Sequence, residues 1–311
     1  MQTEARIRIQ SVKKLPLFKM TDRKWAVVFL TPGFILMLIA YVYPLLYSLY
    51  LSFSSWDIFN PDGKIKLQGM HNYYKIFTND ALLSSLVRTS IFSFSALVIQ
   101  LVIGVSVALL VTSEHLNQKF TSLVRAFLLA PMIISPVVAG ILWRTLYNRE
   151  YGPINYFLSL VGISKNPWIA DPDTALMSVI IVEIWLFTPF VIFIITGGLL
   201  SLAKEPFEAA KVDGATPWQM FWKVTLPLLR PVILIIITLR IMDLFKTFDY
   251  VYSMTYGGPG ESTEILTLSI YKQGIKFLDV TGAAAASWVL LLILLPPSLY
   301  LLRKTFIREG R

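Results

Sequence analysis

Six long runs of apolar residues, separated by shorter polar segments, dominate the pattern along the chain. They span residues 25–52, 90–111, 121–147, 175–200, 226–248 and 283–302. Each run is long enough to cross the hydrocarbon core of a bilayer as an α-helix. Backbone groups in lipid must hydrogen-bond within their own segment, and the runs are too long for barrel strands. The pattern therefore predicts an all-α membrane protein, a six-span helical bundle.

Composition supports lipid as the surrounding solvent. Hydrophobic residues make up 55% of the chain and charged residues 15%, and the mean hydropathy of +0.63 is too high for an ordinary soluble domain. Cysteine is absent, which excludes disulfides, thiolate metal sites and cysteine nucleophiles. We expect no metal site in the chain and no cofactor bound by the chain itself.

The formal charge of +9 is unevenly distributed. Lysine and arginine concentrate at both ends of the chain and in the loop 201–225, which fall on one side of the membrane if the spans alternate. The positive-inside rule predicts that this side is cytoplasmic, so the charge indicates an orientation rather than a nucleic-acid partner. We expect a basic cytoplasmic tail over residues 1–24 and one transmembrane domain over 25–311, with the first span retained as an anchor. Prolines inside the spans, such as Pro131 and Pro136, are expected to form static kinks.

Catalytic motifs are missing from the sequence. No G-x-x-x-x-G-K-[ST] loop, H-E-x-x-H or G-x-S-x-G occurs, and the two histidines, His71 and His115, fall on opposite sides of the predicted membrane. A membrane-bound enzyme is therefore disfavoured. Any use of ATP is expected to depend on a partner.

Charged residues inside the predicted spans are the strongest polar signal. Glu183 lies in the fourth span, and Arg240, Asp243, Lys246 and Asp249 follow one another at steps of three in and just beyond the fifth. At that spacing neighbouring opposite charges can pair along a helix, which lowers the cost of burying them. Two interpretations remain open: a polar translocation path, or an ion-pair ladder used in helix packing.

The loop 201–225 carries the signals of two short helices with a bend between them. Pro206 suits the first turn of the first helix, and Gly214 can end it in a left-handed conformation. Thr216, Pro217 and Gln219 have the spacing of a capping box for the second helix. Its aromatic face, Trp218, Phe221 and Trp222, is expected to pack against the membrane domain. We name residues 201–225 the coupling loop.

The first helix of the coupling loop presents one carboxylate beside very small side chains, Glu208 with Ala209 and Ala210. A charged knob of this width suits a cleft on another protein. An amphipathic loop lying on the bilayer is the competing interpretation, and it explains the aromatic residues but not the capping signals.

Glu208-Ala209-Ala210, then Gly214 and Val224-x-Leu226-Pro227, resembles the EAA loop of ATP-binding-cassette (ABC) importer permeases, with valine at the usual isoleucine. Further segments resemble the carbohydrate-uptake branch of that family: PMIISPVVAGILWRTLY followed by GPIN, Trp168 with Asp171-Pro172, the Gly-Gly-Leu at 197–199, and FDYVYSMTYGGPGEST before the last span. More narrowly, Gly257-Gly258-Pro259 with Thr263 resembles the maltose-type first permease or the glycerol-phosphate permease. The likeness runs from about residue 25 to the end of the chain and is most specific over 205–264.

The resemblance implies a multi-pass protein of the prokaryotic inner membrane that works with several partners. These are a second permease subunit, two cytoplasmic ATPase subunits that use ATP and magnesium, an extracytoplasmic solute-binding protein, a sugar substrate and the lipid bilayer. It also implies a set of residues that couple the chain to the ATPase: Glu208, Ala209, Ala210, Asp213, Gly214 and Pro227.

Substrate contacts in this family come from the fourth to sixth spans. The candidates here are Glu183, Trp185, Asp243, Lys246, Phe248 and Tyr252. A glycerol phosphate or polyol is an alternative substrate. From another class, an ion-coupled secondary transporter that uses the charged ladder is a further alternative, although the matched broken repeats of such proteins are not evident.

Overall fold

A computed structural model describes residues 22–59, 64–113 and 118–306. The chain divides into two compact units, one ending at Tyr50 and one beginning at Leu51. Most of the predicted basic tail, residues 1–21, lies outside the described residues, and the predicted limits at 24 and 25 stay a prediction.

The described chain is almost entirely helical. Its α-helices are α1 Asp22–Met37, α2 Tyr43–Ser52, α3 His71–Thr78, α4 Asp80–Val111, α5 Gln118–Ile133, α6 Pro136–Leu146, α7 Pro153–Leu160, α8 Pro172–Leu200, α9 Glu205–Val212, α10 Pro217–Met220, α11 Leu226–Phe245, α12 Asp249–Thr255, α13 Leu266–Tyr271 and α14 Val280–Phe306. Shorter turns of π-helix cover Leu38–Val42, Phe221–Thr225 and Lys272–Lys276, and a 3₁₀ turn covers Trp168–Ala170. Two-residue strands β1 Ser54–Ser55 and β2 Lys66–Leu67 pair antiparallel, with Ser54 opposite Leu67.

The first unit is one long apolar helix. Helix α1 continues through the π turn into α2, so that Lys24–Ser52 forms a stretch of 29 residues with the hydropathy of a membrane span. Its most apolar window has no buried residue within the chain. Such exposure of apolar side chains suits a helix surrounded by lipid.

The remaining predicted spans lie in the second unit. Four are long apolar helices: Asp80–Val111, Pro172–Leu200, Pro217–Phe245 and Val280–Leu301. With the first helix they make five, and a bent pair in the third position makes a sixth. The all-helical fold of up to six spans predicted from the apolar runs is therefore confirmed, with the second span starting ten residues earlier than expected because Asn79 caps α4 through its side chain.

The third span is broken rather than kinked. Helix segments Phe127–Ile133 and Pro136–Leu146 meet at 108°. Ser135 has a ψ of 135°, in the extended region that a residue before proline favours. Pro136 has no N–H to continue the hydrogen bonds of the helix. The expectation of a static kink here was wrong, because two prolines five residues apart interrupt the hydrogen-bond ladder twice.

Helix α8 lies at the centre of the second unit and packs against α4, α5 and α11. Its side chains Val179, Val182 and Leu186 are fully buried in the hydrophobic core. A second contact joins α6 to α12, where Gly140 permits close approach. A Cβ added at Gly140 would lie 2.0 Å from Ser253 Oγ and 2.8 Å from Tyr250 O. This packing holds α12 against the second half of the broken third span.

The segment between the third and fourth spans is held by one buried side chain, Asn155. Its Oδ1 accepts hydrogen bonds from the Asn166 N–H and from Trp168 Nε1, both at 3.0 Å. Asp171 then caps α8 by accepting from the Asp173 N–H at 3.1 Å. The Asn155, Trp168 and Asp171 of the sequence motifs therefore fix this segment in place.

Candidate functional site

The bend of the coupling loop is built as its sequence predicts. Helix α9 ends with the Asp213 N–H bonded to Ala209 O at 3.0 Å, and the Ala215 N–H bonds back to Ala210 O at 3.0 Å. Between them Gly214 has a φ of +72°, in the left-handed region that glycine enters without steric cost. The chain therefore leaves α9 at a fixed angle.

The second helix of the loop begins with a complete capping box. The Thr216 hydroxyl accepts from the Gln219 N–H at 3.3 Å, and the Gln219 side-chain carbonyl accepts from the Thr216 N–H at 2.9 Å. Pro217 occupies the first turn. Two of the free donors at the start of the helix are thereby satisfied by the chain itself.

Helix α10 does not end before the fifth span. It passes through the π turn Phe221–Thr225 into α11, so that Pro217–Phe245 is one helical stretch of 29 residues. The fifth span was predicted to start at residue 226, and this was wrong, because the π turn Phe221–Thr225 carries the helical backbone from α10 directly into α11. We name Pro217–Phe245 the linking helix; it is about 43 Å long at the usual rise per residue.

The surface of the coupling loop is largely exposed. Glu208, Ala209, Asp213, Gly214 and Pro227 are all exposed, whereas Ala210 is half-buried. Among the described residues nothing covers Glu208 and Ala209, so both are accessible to a partner protein.

The aromatic face of the linking helix is placed differently from the prediction. Trp218 and Trp222 remain 71% and 50% exposed, and their rings meet edge to face with centroids 5.6 Å apart. The expectation that they pack against the membrane domain was wrong for these two side chains. They stand at the start of a membrane-crossing helix, where indole rings favour the lipid interface.

The far end of the linking helix carries the predicted charge ladder. Arg240 Nη1 lies 3.7 Å from Asp243 Oδ2, and Lys246 Nζ lies 3.9 Å from Asp243 Oδ1. Asp243 and Lys246 are 54% and 58% exposed. The sequential pairing expected from steps of three is confirmed, with both exposed members near the end of the helix.

The helix is interrupted immediately beyond this ladder. Helix α11 ends at Phe245 and α12 begins at Asp249 after a non-helical Phe248 with φ −147° and ψ −53°. Helix α12 packs against α6, part of the third span. Irregular backbone at membrane depth is tolerated where it is covered by protein or lines a wet cavity.

Four aromatic rings gather at this interruption, and we name Phe248, Tyr252, Tyr256 and Tyr271 the aromatic cluster. Tyr252 stacks on Phe248 with ring centroids 5.1 Å apart. It also lies 4.5 Å from the ring of Tyr256 and 5.5 Å from that of Tyr271. None of the four is fully buried. Aromatic side chains are common in the lining of ligand sites.

A second polar group lies inside the bundle, and we name Gln100, Glu183, Arg240 and Tyr250 the buried polar cluster. Glu183 and Arg240 form an ion pair with 0% and 1% of their side chains exposed. Sequence reasoning singled out Glu183 and Arg240 separately but missed both their pairing and the roles of Gln100 and Tyr250. An ion pair could have been predicted, because two opposite charges in two different apolar spans usually pair with each other.

The hydrogen bonds of the buried polar cluster join four helices. The Glu183 carboxylate accepts from Arg240, from Gln100 Nε2 at 3.1 Å and from the Tyr250 hydroxyl at 2.6 Å. Arg240 Nε also donates to Gln100 Oε1 at 3.2 Å, and its guanidinium carbon lies 4.6 Å from the centre of the Phe187 ring. The cluster thus connects α4, α8, α11 and α12.

Trp185, the remaining path candidate, is half-buried and lies two residues from Glu183 on α8. Its ring meets that of Trp143 edge to face, with centroids 5.4 Å apart. Trp143 lies on α6, so Trp185 adds an aromatic contact between the fourth span and the broken third span.

The loop between Tyr256 and Tyr271 of the aromatic cluster is held by hydrogen bonds of its own residues and by Arg88 of α4. The Thr263 hydroxyl donates to Gly258 O at 2.9 Å, and Gly257 takes a φ of +89°. Arg88 Nε of α4 donates to Glu264 O at 3.0 Å, and the Glu264 carboxylate pairs with Lys272. The motif Gly257-Gly258-Pro259 with Thr263 is therefore part of an ordered loop.

Known proteins resemble this chain over most of its length. The family described as "Binding-protein-dependent transport system inner membrane component" matches residues 77–304. A probable ABC transporter permease of Sinorhizobium fredii is 34% identical over 278 residues, 89% of each chain. The trehalose/maltose transport system permease of Thermococcus litoralis is 29% identical, over 80% of this chain and 83% of that protein.

Solved structures agree in fold. A chain from a bacterial ABC transporter involved in the import of the acidic polysaccharide alginate superposes with a TM-score of 0.78 at 22% identity, covering 91% of this chain and 96% of that one. A family match over residues 77–304 includes the coupling loop, the linking helix and the buried polar cluster. The chain belongs to the binding-protein-dependent transport system inner membrane components, the membrane permeases of ABC transporters.

Proposed function

We propose that this permease forms one half of the translocation path of an ATP-driven sugar importer and couples to a separate ATPase subunit through α9. The observation that carries the proposal is the linking helix. It runs from the coupling loop at one end to the exposed Asp243 and Lys246 at the other without a break in its helical backbone. A displacement of the loop by a partner would reach the charged end of the fifth span through a single element.

The coupling residues form the surface offered to the ATPase. Glu208 supplies a charge for an arginine of the partner, and Ala209 and Ala210 keep the helix narrow enough to enter a groove. Asp213 and Gly214 set the bend, and Pro227 lies in the first turn of α11. In this proposal ATP and magnesium are bound by the ATPase, and this chain binds neither.

The substrate path runs past the far end of the linking helix. The residues that line it are Asp243, Lys246, Phe248, Tyr252 and Trp185. Glu183 is buried and acts on this lining through its ion pair with Arg240. The aromatic cluster, with the exposed Asp243 and Lys246 close to Phe248 in sequence, supports a sugar, because a sugar ring presents both apolar C–H faces and hydroxyl groups. The names of two similar proteins also support a carbohydrate: the relative from Thermococcus litoralis transports trehalose or maltose, and the structural neighbour takes part in alginate import.

The assembly contains a second permease, two cytoplasmic ATPase subunits and an extracytoplasmic solute-binding protein. Both termini of this chain lie in the cytoplasm of a prokaryotic inner membrane. This orientation follows from the basic residues at both ends and in the coupling loop, and it places α9 on the side of the ATPases.

Uptake by the assembled complex in proteoliposomes tests the proposal. Two variants on one helix are compared: Glu208→Gln, in the proposed contact, and Glu205→Gln, a matched control that removes an equally exposed carboxylate from the first turn of α9. We expect Glu208→Gln to lower ATP-driven uptake by about tenfold or more, the usual cost of removing one member of a docked charge pair. Glu205→Gln should keep nearly all of it.

Two results would overturn the proposal. One is wild-type uptake by Glu208→Gln, which would remove the docking role from that carboxylate. The other is wild-type uptake that continues without the ATPase subunits and stops when an ion gradient is dissipated, which would indicate a secondary transporter.

A further inference from the structure

The linking helix needs a fixed point if a movement of the coupling loop is to act on the substrate path. Its loop end is held by the capping box and is mostly exposed up to Lys223, with Phe221 half-buried. Its far end contains Arg240, whose side chain is 1% exposed and enters the bundle. The middle of the helix packs in the apolar core through Leu229 and Ile236, both fully buried, whereas Arg240 holds its far end by hydrogen bonds of fixed direction.

The Glu183 carboxylate holds both sides of the interruption in the fifth span. One oxygen, Oε1, pairs with Arg240 before the interruption, and the other, Oε2, accepts from the Tyr250 hydroxyl after it. Gln100 of α4 donates to both the backbone and the side-chain oxygen of Glu183, each at 3.1 Å. A single side chain of α8 thus fixes the spacing between α11 and α12.

The buried polar cluster is connected to the exposed surface through Asp243. Arg240 uses Nη2 and Nε inside the bundle, and its Nη1 lies 3.7 Å from Asp243, which is half exposed. Asp243 in turn lies 3.9 Å from Lys246. A rotation of the linking helix about the fixed Arg240 would therefore move the charges that the path presents.

Stability alone does not account for an ion pair at this place. Apolar side chains of similar volume fill a buried site at least as favourably as an ion pair, because the pair must first give up its water. Unlike apolar contacts, the hydrogen bonds of the ion pair are directional, and they fix the rotation and the register of the linking helix against α8.

We propose that Glu183 and Arg240 are positioning residues that fix the far end of the linking helix to α8 and α12, so that movement of the coupling loop is converted into a change at Asp243 and the aromatic cluster. This inference rests on the proposed function of the chain as an ATP-coupled importer. Neither residue touches substrate, since both are buried, and both act through Asp243 and Tyr250.

The test measures sugar transported per ATP hydrolysed by the complete complex in proteoliposomes. The principal variant is Glu183→Leu with Arg240→Met, which replaces the pair by apolar side chains and leaves no unpaired charge. Arg230→Met is the matched control, since it removes an exposed cation from the same helix. Assembly of the complex and its ATPase rate are measured alongside, because a merely structural role would alter these and leave the ratio unchanged.

We expect the double variant to assemble and to hydrolyse ATP, but to transport about tenfold less sugar per ATP, a typical size for a lost coupling between two sites. The Arg230→Met complex should keep the wild-type ratio. A wild-type ratio in the double variant would overturn the inference. Absence of ATP-driven uptake in the wild-type complex would instead overturn the proposed function, so the two failures are distinguishable.

A second variant decides the matter if the double variant does not assemble. Tyr250→Phe removes only the hydroxyl that donates to Glu183 and keeps the ion pair. We expect it to assemble and to lower the ratio by about threefold, in line with the loss of one buried hydrogen bond. A wild-type ratio in Tyr250→Phe would then overturn the inference.

Discussion

The two ends of the linking helix are held by opposite means. The coupling loop at one end is exposed and is shaped by contacts between residues close in sequence, such as the Thr216–Gln219 capping box. The buried polar cluster at the other end is closed to solvent and joins residues 57 to 140 positions apart, from the Glu183–Arg240 pair to the Arg240–Gln100 hydrogen bond. One end is therefore available to a partner, and the other fixes the helix within the bundle.

This difference predicts how the two ends respond to substitution. Changes at the buried end should lower the stability of the whole bundle, because they leave a polar group without a partner in a dry interior. Changes at the exposed end should act locally and should alter function without unfolding the chain.

Arg240→Ala is expected to have the largest effect. It leaves the Glu183 carboxylate buried without its cation, which should lower the free energy of unfolding by about 3–5 kcal/mol. Unfolding of the purified chain by SDS in mixed micelles measures this. Lys246→Ala is the control, since its exposed pair with Asp243 should contribute less than about 1 kcal/mol. Equal losses in the two variants would contradict the distinction between the two ends.

Gly140→Val should have the next largest effect. Any Cβ at this position meets the backbone of Tyr250 at 2.8–2.9 Å, so α12 must move away from α6. We expect a loss of about 1–3 kcal/mol in the same unfolding measurement, the usual cost of overpacking. Gly197→Ala is the control, because a Cβ there meets nothing within 4 Å. A Gly140→Val chain as stable as the wild type would show that α12 is not held against α6.

The fold was predictable where the signal is local or repeats along the chain. Apolar runs of 20 or more residues indicate spans, and the positions of Pro206, Gly214 and Thr216 predicted the bend and the cap of the coupling loop. The hydrogen bonds that form these features join residues within five positions of each other, so sequence spacing is enough to recognise them.

The remaining features depend on contacts across the bundle. Gln100 and Tyr250 look like an ordinary polar residue and an ordinary aromatic residue, and only the packing of α4 and α12 on α8 brings them to Glu183. The break at Ser135 was missed for another reason. Proline in a membrane helix is compatible with either a kink or a full interruption, and the neighbouring helices decide between them.

Thr216→Ala should have the smallest effect and should act only on the exposed end. It removes the side-chain acceptor for the Gln219 N–H, at a cost of about 1 kcal/mol to the start of the helix. We expect amide hydrogen exchange over residues 216–220 to rise about fivefold, and the global free energy of unfolding to stay unchanged. Thr216→Ser keeps the acceptor and should exchange as the wild type does. A global loss of stability in Thr216→Ala would contradict the local character of this end.

Distances between spin labels test most directly the claim that the linking helix moves as one body fixed at its far end. The chain contains no cysteine, so pairs of cysteines at two of the exposed positions Trp218, Leu239 and Met177 can be introduced and labelled selectively. Pulsed electron–electron double resonance would be recorded on the complex without nucleotide and with ATP. The account predicts that the 218–239 and 177–239 distances stay the same while the 177–218 distance changes. A change in the 218–239 distance, or a 177–239 distance that changes as much as the 177–218 distance, would contradict it.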